Sequence, residues 1–283
     1  MNSKGSVALV VGVGIAACAG LPAAEATPET VRANPVAAAT AAATSTSIQF
    51  GTNGDIPVGA DYIGDNKKDI AIFRPSTGTW SIRGLGTVKY GQSGDIPVPA
   101  DYTGRGKADI AVFRPSNGTW YIRGIGSAKY GQSGDVPVPA DYAGVGAVQL
   151  AVFRPSNGTW YRRGLGNVQY GNNGDIPAPK AYTTLNKIDL ALFRPSLGTW
   201  SVNFRTFAYG QNGDVPVPAR YLGRKAVDVA VWRPSNGTWY VQGGASVQYG
   251  TNGDIPQAGD FLGTGTADRV VFRPSDGTWH ILY

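Results

Sequence analysis

Three tyrosines, Tyr121, Tyr161 and Tyr240, are the side chains of this sequence best suited to hold a ligand. Each directly follows a tryptophan, so on a β-strand the two rings would point to opposite faces of the sheet. An exposed tyrosine offers an aromatic face and a hydroxyl, which suit the C–H face and the hydroxyl groups of a sugar. We therefore predict carbohydrate binding at these positions. A tyrosine at the sheet edge that binds no ligand is the open alternative.

Catalytic chemistry has less support. Cys18 is the only cysteine and His280 the only histidine, so a histidine metal cluster is excluded, and no G-x-S-x-G motif accompanies a serine nucleophile. An enzyme needs an asymmetric site, and the segment around Lys180 and Arg205 departs furthest from the internal repeat described next. Its bases could neutralise a uronate carboxylate in a polysaccharide lyase, with a tyrosine as general base. Sequence drift is the favoured explanation of this segment.

These residues belong to a repeat that occurs six times. Each copy contains Arg-Pro-Ser-x-Gly-Thr-Trp, and the spacing of the copies is 40 residues with one deletion. The closing tryptophans are Trp80, Trp120, Trp160, Trp200, Trp239 and Trp279. A period of this length is typical of solenoids, propellers and repeat arrays.

One repeat contains signals for four short strands. In the second copy we predict strands at 98–102, 110–113, 119–123 and 127–130, because these runs are rich in β-branched and aromatic residues. Asn117-Gly118 predicts a type I′ hairpin turn, in which both residues have positive φ. Four antiparallel strands in about 40 residues correspond to one propeller blade.

The ends of the repeat region indicate how the ring closes. The sixth copy stops at Tyr283 without a fourth strand, while Ser47-Ile48-Gln49-Phe50 resembles the fourth strand Ser246-Val247-Gln248-Tyr249. An N-terminal strand that completes the last sheet would remove two free edges, which otherwise invite aggregation. The sequence therefore predicts an all-β, six-bladed β-propeller of four-stranded blades, closed by the N-terminal strand.

Two further recurring features predict structure more than function. We expect the six tryptophans to pack between the sheets, where they bury a large apolar area. We also expect the arginine of each Arg-Pro-Ser to pair with the aspartate of a Gly-Asp-x-Pro segment, because an unpaired buried arginine would be costly.

The repeat resembles the FG-GAP (VCBS-type) repeats of secreted bacterial and integrin-like propellers. The resemblance rests on Gly-Asp-x-Pro, on the segment from Asp101 to Asp109 and on the Ile-Ala-Val-Phe-Arg-Pro-Ser run after it, and it covers residues 50–283. It implies the propeller fold. Members of that family include lectins, polysaccharide-active enzymes, adhesins and receptor heads, so the resemblance implies no single activity.

The same resemblance implies a calcium loop of the form D-x-D-G-D-G-x-x-D, with ligands at positions one, three, five and nine. Oxygen ligands in that number suit calcium. Only the first repeat keeps three of the carboxylates, Asp61, Asp65 and Asp69, so calcium is expected, if anywhere, in that repeat. No other cofactor is implied. Position five is Arg105 in the second repeat and Arg224 in the fifth, and we hypothesise that these guanidiniums replace the metal by pairing with loop aspartates.

Residues 1–26 have the pattern of a secretory signal peptide: Lys4, an apolar run over 7–19, and an A-x-A cleavage site at 24–26. An alternative is a lipoprotein signal that ends at Cys18 and anchors the protein to a membrane. The apolar run is too short for a membrane span. Residues 27–45, rich in Ala, Thr and Pro, are a predicted linker or propeptide, which leaves 46–283 for the propeller. Either signal places the protein outside the cytoplasm.

These observations favour a secreted, non-catalytic, lectin-like module that binds glycans or cell-surface polysaccharide. Several weak equivalent sites would gain affinity through multivalency. A formal net charge of +6 without a basic run argues against nucleic-acid binding. Two alternatives stay open: a polysaccharide lyase or hydrolase with one cleft near the fourth repeat, and a protein-binding scaffold or adhesin.

Overall fold

The computed structural model describes residues 44–183 and 187–283. Within these ranges the regular structure is β-strand, apart from a 3₁₀ turn at Pro195–Leu197. The predicted signal peptide, Cys18 and nearly all of the predicted linker lie outside the described residues. No helix in the described ranges is long and apolar enough to cross a membrane.

The strands form six four-stranded antiparallel sheets, which are the blades of a β-propeller. The innermost strands are Ile56–Pro57 (β2), Ile96–Pro97 (β6), Val136–Pro137 (β10), Ile176–Pro177 (β14), Val215–Pro216 (β18) and Ile255–Gly259 (β22). The second strands are Ala71–Arg74 (β3), Ala111–Arg114 (β7), Ala151–Arg154 (β11), Ala191–Arg194 (β15), Ala230–Arg233 (β19) and Asp268–Arg273 (β23).

The third strands are Thr79–Ile82 (β4), Thr119–Ile122 (β8), Thr159–Arg162 (β12), Thr199–Val202 (β16), Thr238–Val241 (β20) and Thr278–Leu282 (β24). The outer strands of the first five blades are Gly86–Lys89 (β5), Gly126–Lys129 (β9), Gly166–Gln169 (β13), Arg205–Ala208 (β17) and Val247–Gln248 (β21). The sixth blade takes its outer strand from the beginning of the described chain, Ser45–Gln49 (β1).

This arrangement confirms the predicted closure. Strand β1 runs antiparallel to β24, with Ser45 opposite Leu282 and Gln49 opposite Thr278. Thr44 and Tyr283 exchange backbone hydrogen bonds of 3.2 and 3.0 Å at the end of the pairing. The closing strand begins at Ser45, one residue before the predicted domain boundary.

Two predictions for the second blade are wrong in detail. The first strand is Ile96–Pro97 rather than 98–102, because beyond Val98, whose N–H donates to the Ala111 carbonyl at 2.8 Å, only an isolated bridge between Ala100 and Asp109 continues the pairing. The hairpin is not a type I′ turn. Only Gly118 has positive φ, at 65°, and its N–H donates to the Arg114 carbonyl at 2.8 Å across a four-residue connection.

The predicted tryptophan core is confirmed. The six tryptophans at the ends of the repeat motifs are all 0% exposed, so a sugar cannot contact their rings. Each lies within a cluster that spans two blades; Trp80, for example, packs with Phe73 of its own blade and with Val112 of the next. In the second blade the indole Nε1 of Trp120 donates to the Tyr130 carbonyl at 2.7 Å, which satisfies its polar atom.

Candidate functional site

The two ends of the propeller carry different connections. One end, which we call the turn face, carries the four-residue turns between second and third strands, such as 75–78, and the Gly-Asp segments before each first strand. The other end, the loop face, carries the aspartate loops between first and second strands, such as 61–69, and the hairpins between third and fourth strands. Successive connections alternate between the faces because neighbouring strands are antiparallel.

The turn face is braced by six arginine–aspartate pairs, which confirms the predicted bridge. In the second blade, Nε and Nη2 of Arg114 donate to the two carboxylate oxygens of Asp95 at 2.7 and 2.8 Å. The other pairs are Arg74–Asp55, Arg154–Asp135, Arg194–Asp175, Arg233–Asp214 and Arg273–Asp254. The hydrogen bonds to Asp95 raise the pKa of Arg114 above its usual value, so the guanidinium stays charged.

The three tyrosines predicted to bind a ligand contact the arginines of three of these pairs. The guanidinium carbons of Arg114, Arg154 and Arg233 lie 4.4, 4.2 and 4.3 Å from the ring centroids of Tyr121, Tyr161 and Tyr240. Such a separation is a cation–π contact. One face of each ring is therefore occupied by the protein's own arginine.

Each tyrosine hydroxyl is also fixed by the turn before it. Nδ2 of Asn117 donates to the hydroxyl of Tyr121 at 3.2 Å, while Oδ1 of Asn117 accepts the backbone N–H of Thr119 at 3.0 Å. Asn157–Tyr161 and Asn236–Tyr240 repeat the first contact at 3.0 and 3.3 Å. One sequence pattern, not used in the predictions above, indicates this contact between the turn asparagine and the tyrosine. Asparagine at the turn occurs only in those repeats that have tyrosine four residues later.

The tyrosines occupy the seams between blades. Tyr121 lies opposite Val112 in the strand ladder, and both pack against the hydrophobic cluster of the first blade, beside Tyr90. Tyr161 and Tyr240 pack in the same way against the second and fourth blades. We call each Asn–Tyr–Arg group, such as Asn117, Tyr121 and Arg114, a seam site. Its tyrosine is half-buried, so its polar groups are better placed to meet a ligand than its ring faces.

The aspartate loop of the first blade keeps its shape through its own backbone. The Asp61 carboxylate accepts the N–H groups of Gly64, Asp65 and Asn66 at 2.5, 3.3 and 2.7 Å, and Oδ2 of Asp69 accepts the N–H of Tyr62 at 2.8 Å. No group of three or more Asp, Glu, His or Cys side chains in the described ranges is arranged to hold a metal ion. Burial, and then the charges of Asp61 and Asp65, raise the pKa of Asp69. The calcium site at Asp61, Asp65 and Asp69 stays a prediction.

The predicted pairing of an arginine with a loop aspartate is present in one loop only. Nη1 of Arg224 lies 3.7 Å from Oδ1 of Asp228. In the second blade it is the backbone N–H of Arg105 that donates to Asp101, at 3.0 Å, and the Arg105 guanidinium forms no ion pair with any described residue. Three backbone N–H groups stabilise the equivalent aspartate, Asp141, of the third blade without an arginine, so none is needed in the second.

A cavity of about 700 Å³ lies on the loop face between the fourth and fifth blades. Its lining includes Asn203, Arg205 and Arg224, and Asp228 is the one carboxylate among the described lining residues. Tyr182 also lines it, but its hydroxyl donates to the Ala178 carbonyl at 2.8 Å. Burial raises the pKa of Tyr182 well above its usual value, which makes it a poor general base at neutral pH.

His280 belongs to the closing strand pair. Its Nδ1 lies 2.8 Å from Oγ of Ser47, the residue opposite it in the ladder, and its Nε2 has no hydrogen-bond partner within the described part of the chain. Burial lowers the pKa of His280. A catalytic triad requires a carboxylate on the second ring nitrogen, and this histidine has none there.

Fold comparison places the chain among six-bladed β-propellers. A lectin from Agrocybe aegerita that recognises non-reducing terminal N-acetylglucosamine matches with a TM-score of 0.52 and 14% identity, over 83% of this chain and 80% of the lectin. Virginiamycin B lyase from Staphylococcus aureus matches with a TM-score of 0.52 and 9% identity, over 85% of this chain and 99% of the lyase. No protein-family model and no curated protein sequence matches the chain. Likeness at such identities shows the fold alone.

Proposed function

We propose that this protein is a non-catalytic, lectin-like module that binds glycans outside the cytoplasm and belongs to the FG-GAP (VCBS-type) propellers. The observation that carries the proposal is the seam site, which the chain builds three times with the same three residue types. The signal pattern in 1–26 supports the extracellular location, and the repeat motifs support the family.

The polar groups of a seam site suit the hydroxyl groups of a sugar. At the first site, the amide of Asn117 is used in two bonds inside the protein, and Nε and Nη2 of Arg114 are used by Asp95. The hydroxyl hydrogen of Tyr121 donates to no described residue, so it is left for a ligand oxygen. A group whose geometry is fixed before binding loses little conformational entropy when the ligand arrives.

The number of sites supports binding to a repeated ligand. The seam sites lie where the second, third and fifth blades each pack against the preceding blade, so one glycan surface could engage more than one of them. Linked weak sites can exceed their single affinities by two or more orders of magnitude. We therefore propose cell-surface or environmental polysaccharide as the natural partner.

A binding function fits the described residues better than glycoside hydrolysis does. Most glycoside hydrolases place two carboxyl groups about the scissile bond, whereas Asp228 is the one carboxylate among the described residues that line the cavity between the fourth and fifth blades. The shared propeller fold includes a lyase as well as a lectin, so fold likeness favours neither activity. A protein-binding scaffold would use the same faces without a response to sugars.

The test is a multivalent glycan-array screen of the protein, with a triple variant Tyr121→Phe, Tyr161→Phe and Tyr240→Phe. This variant removes three hydroxyls and keeps the rings. Each lost hydrogen bond is worth about 1 kcal/mol, so we expect binding to one sugar class to fall about fivefold per site, and further on the array. Tyr90→Phe, Tyr130→Phe and Tyr209→Phe, in the same seams, form the matched control. A blank array from folded protein, or equal binding by both triple variants, would refute the proposal.

A further inference from the structure

Two lysines, Lys68 and Lys180, lie at the loop-face mouth of the central channel. The mouth is a cavity of about 500 Å³. Its walls include the equivalent prolines of four successive blades: Pro99, Pro139, Pro179 and Pro218. The site is separate from the seam sites and does not depend on the function proposed for them.

Both lysines interrupt the internal repeat. At the position of Lys180 the other blades have Ala60, Ala100, Ala140, Ala219 and Gly259. At the position of Lys68 they have Ala108, Val148, Ile188, Val227 and Ala267. One lysine comes from the first blade and the other from the fourth, which face each other across a six-bladed ring. Two independent departures from small or apolar residues thus bring positive charge to one cavity.

Lys68 is held in place by the seam between the first and sixth blades. Its ammonium donates to the Ala258 carbonyl at 2.8 Å and lies 5.8 Å from the centroid of Phe261. Its stem crosses Gly259, where a Cβ atom would clash with Cδ and Cε of the lysine. One of three ammonium hydrogens is therefore used, and the Lys180 ammonium has no hydrogen bond or ion pair with a described residue.

The other charged groups at the mouth are already engaged. Asp61 and Asp260 each accept three backbone N–H groups of their own loops, and Lys67 lies 3.9 Å from Asp65. Burial, and then the charge of Lys180, lower the pKa of Lys68 to about 7, and burial lowers that of Lys180. An anion between the two lysines would stabilise the charged form of both.

We propose that the channel mouth binds an acidic monosaccharide unit, whose carboxylate or phosphate lies between Lys68 and Lys180. The proline rings supply apolar surface for the C–H face of the sugar. A cavity of this volume accommodates a single sugar residue.

The test is isothermal titration calorimetry of the protein with glucuronate, glucose 6-phosphate, glucose and inorganic phosphate at pH 6. The decisive variant is Lys180→Ala, which restores the residue of the other blades and so preserves the fold. We expect it to weaken binding of the acidic sugars about tenfold or more. Lys107→Ala, which removes an exposed loop-face lysine away from the mouth, makes the same change in net charge and should leave affinity within about twofold.

Binding of glucuronate alone would identify the anion as a carboxylate, and binding of glucose 6-phosphate alone would identify it as a phosphate; either result supports the site. We also expect weaker binding at pH 8.5, where the Lys68 ammonium loses its proton. The proposal is overturned if neither acidic sugar binds, if glucose binds as well as they do, if inorganic phosphate matches glucose 6-phosphate, or if Lys180→Ala leaves the affinity unchanged.

Discussion

Arg114 and Asp95 form a two-point ion pair that ties the start of a blade to the end of its second strand, with contacts of 2.7 and 2.8 Å. The Asp95 side chain is 0% exposed and that of Arg114 is 19% exposed. The arginine has a second role, because its guanidinium also covers one face of the Tyr121 ring. The bracing of the fold and the candidate ligand site therefore share a residue.

Asp95→Asn should lower the free energy of unfolding by about 3 kcal/mol, because it leaves a largely buried guanidinium without its counter-charge. The measurement is equilibrium unfolding in urea. Asp65→Asn is the control, since the Lys67–Asp65 pair is exposed and long at 3.9 Å and should contribute less than about 1 kcal/mol. Equal effects of the two substitutions would show that the buried pair does not brace the blade.

Gly118→Ala should be far more destabilising than Gly124→Ala, although both glycines have positive φ, 65° and 80°. A Cβ at Gly124 meets nothing within 4 Å, whereas one at Gly118 would clash with the backbone carbonyl of Gly131. We expect a loss of about 1 kcal/mol at Gly124 from conformation alone, and about 3 kcal/mol or more at Gly118. Thermal unfolding of both variants makes the comparison, and similar losses would contradict the close approach.

A chain that begins at Gly51 should be less stable than one that begins at Thr44. The shorter chain lacks β1, so β24 becomes a free sheet edge, and free edges associate with other chains. We expect a lower unfolding midpoint and concentration-dependent association by light scattering. Equal midpoints and a monomeric shorter chain would mean that β1 does not close the ring.

Calcium should raise the unfolding temperature, and Asp65→Asn should remove most of that rise. The charges of Asp61 and Asp65 add to burial in raising the pKa of Asp69, and a cation would relieve this repulsion. A ligand that binds only the folded state stabilises it by mass action. Differential scanning calorimetry with calcium, and then with excess chelator, provides the measurement. An equal calcium-induced rise in the unfolding temperature of wild type and variant would place the ion elsewhere.

The stability of the protein relative to Lys68→Met should rise with pH between about 7 and 9. The pKa of Lys68 is lowered from 10.5 to about 7 by burial and by Lys180, so in this window the unfolded chain binds a proton that the folded chain does not. Stability rises with pH wherever the unfolded state binds more protons. Below pH 7 both states hold the proton and the difference should become constant. Urea unfolding at pH 6, 7, 8 and 9 measures it; a constant difference throughout would show that Lys68 keeps its ordinary pKa.

Most of the fold could be predicted from sequence because its signals are local. Short apolar strands, turn residues and a regular spacing of Trp80, Trp120 and the other repeat tryptophans are read within one repeat, and the repeat then specifies the ring. The errors concern details within one repeat. The first strand of the second blade ends at Pro97, and the four-residue connection needs one left-handed residue, Gly118, where a type I′ turn would need two.

The sequence by itself determined the six blades, the strand that closes them and the opposite orientation of Trp120 and Tyr121, because these follow from periodicity along the chain. Only the tertiary structure decided that Arg114 covers the Tyr121 ring and that Lys68 and Lys180 share one channel mouth. These relationships join residues of different strands or opposite blades. Their distances are set by how the sheets pack around the axis, which no local pattern specifies.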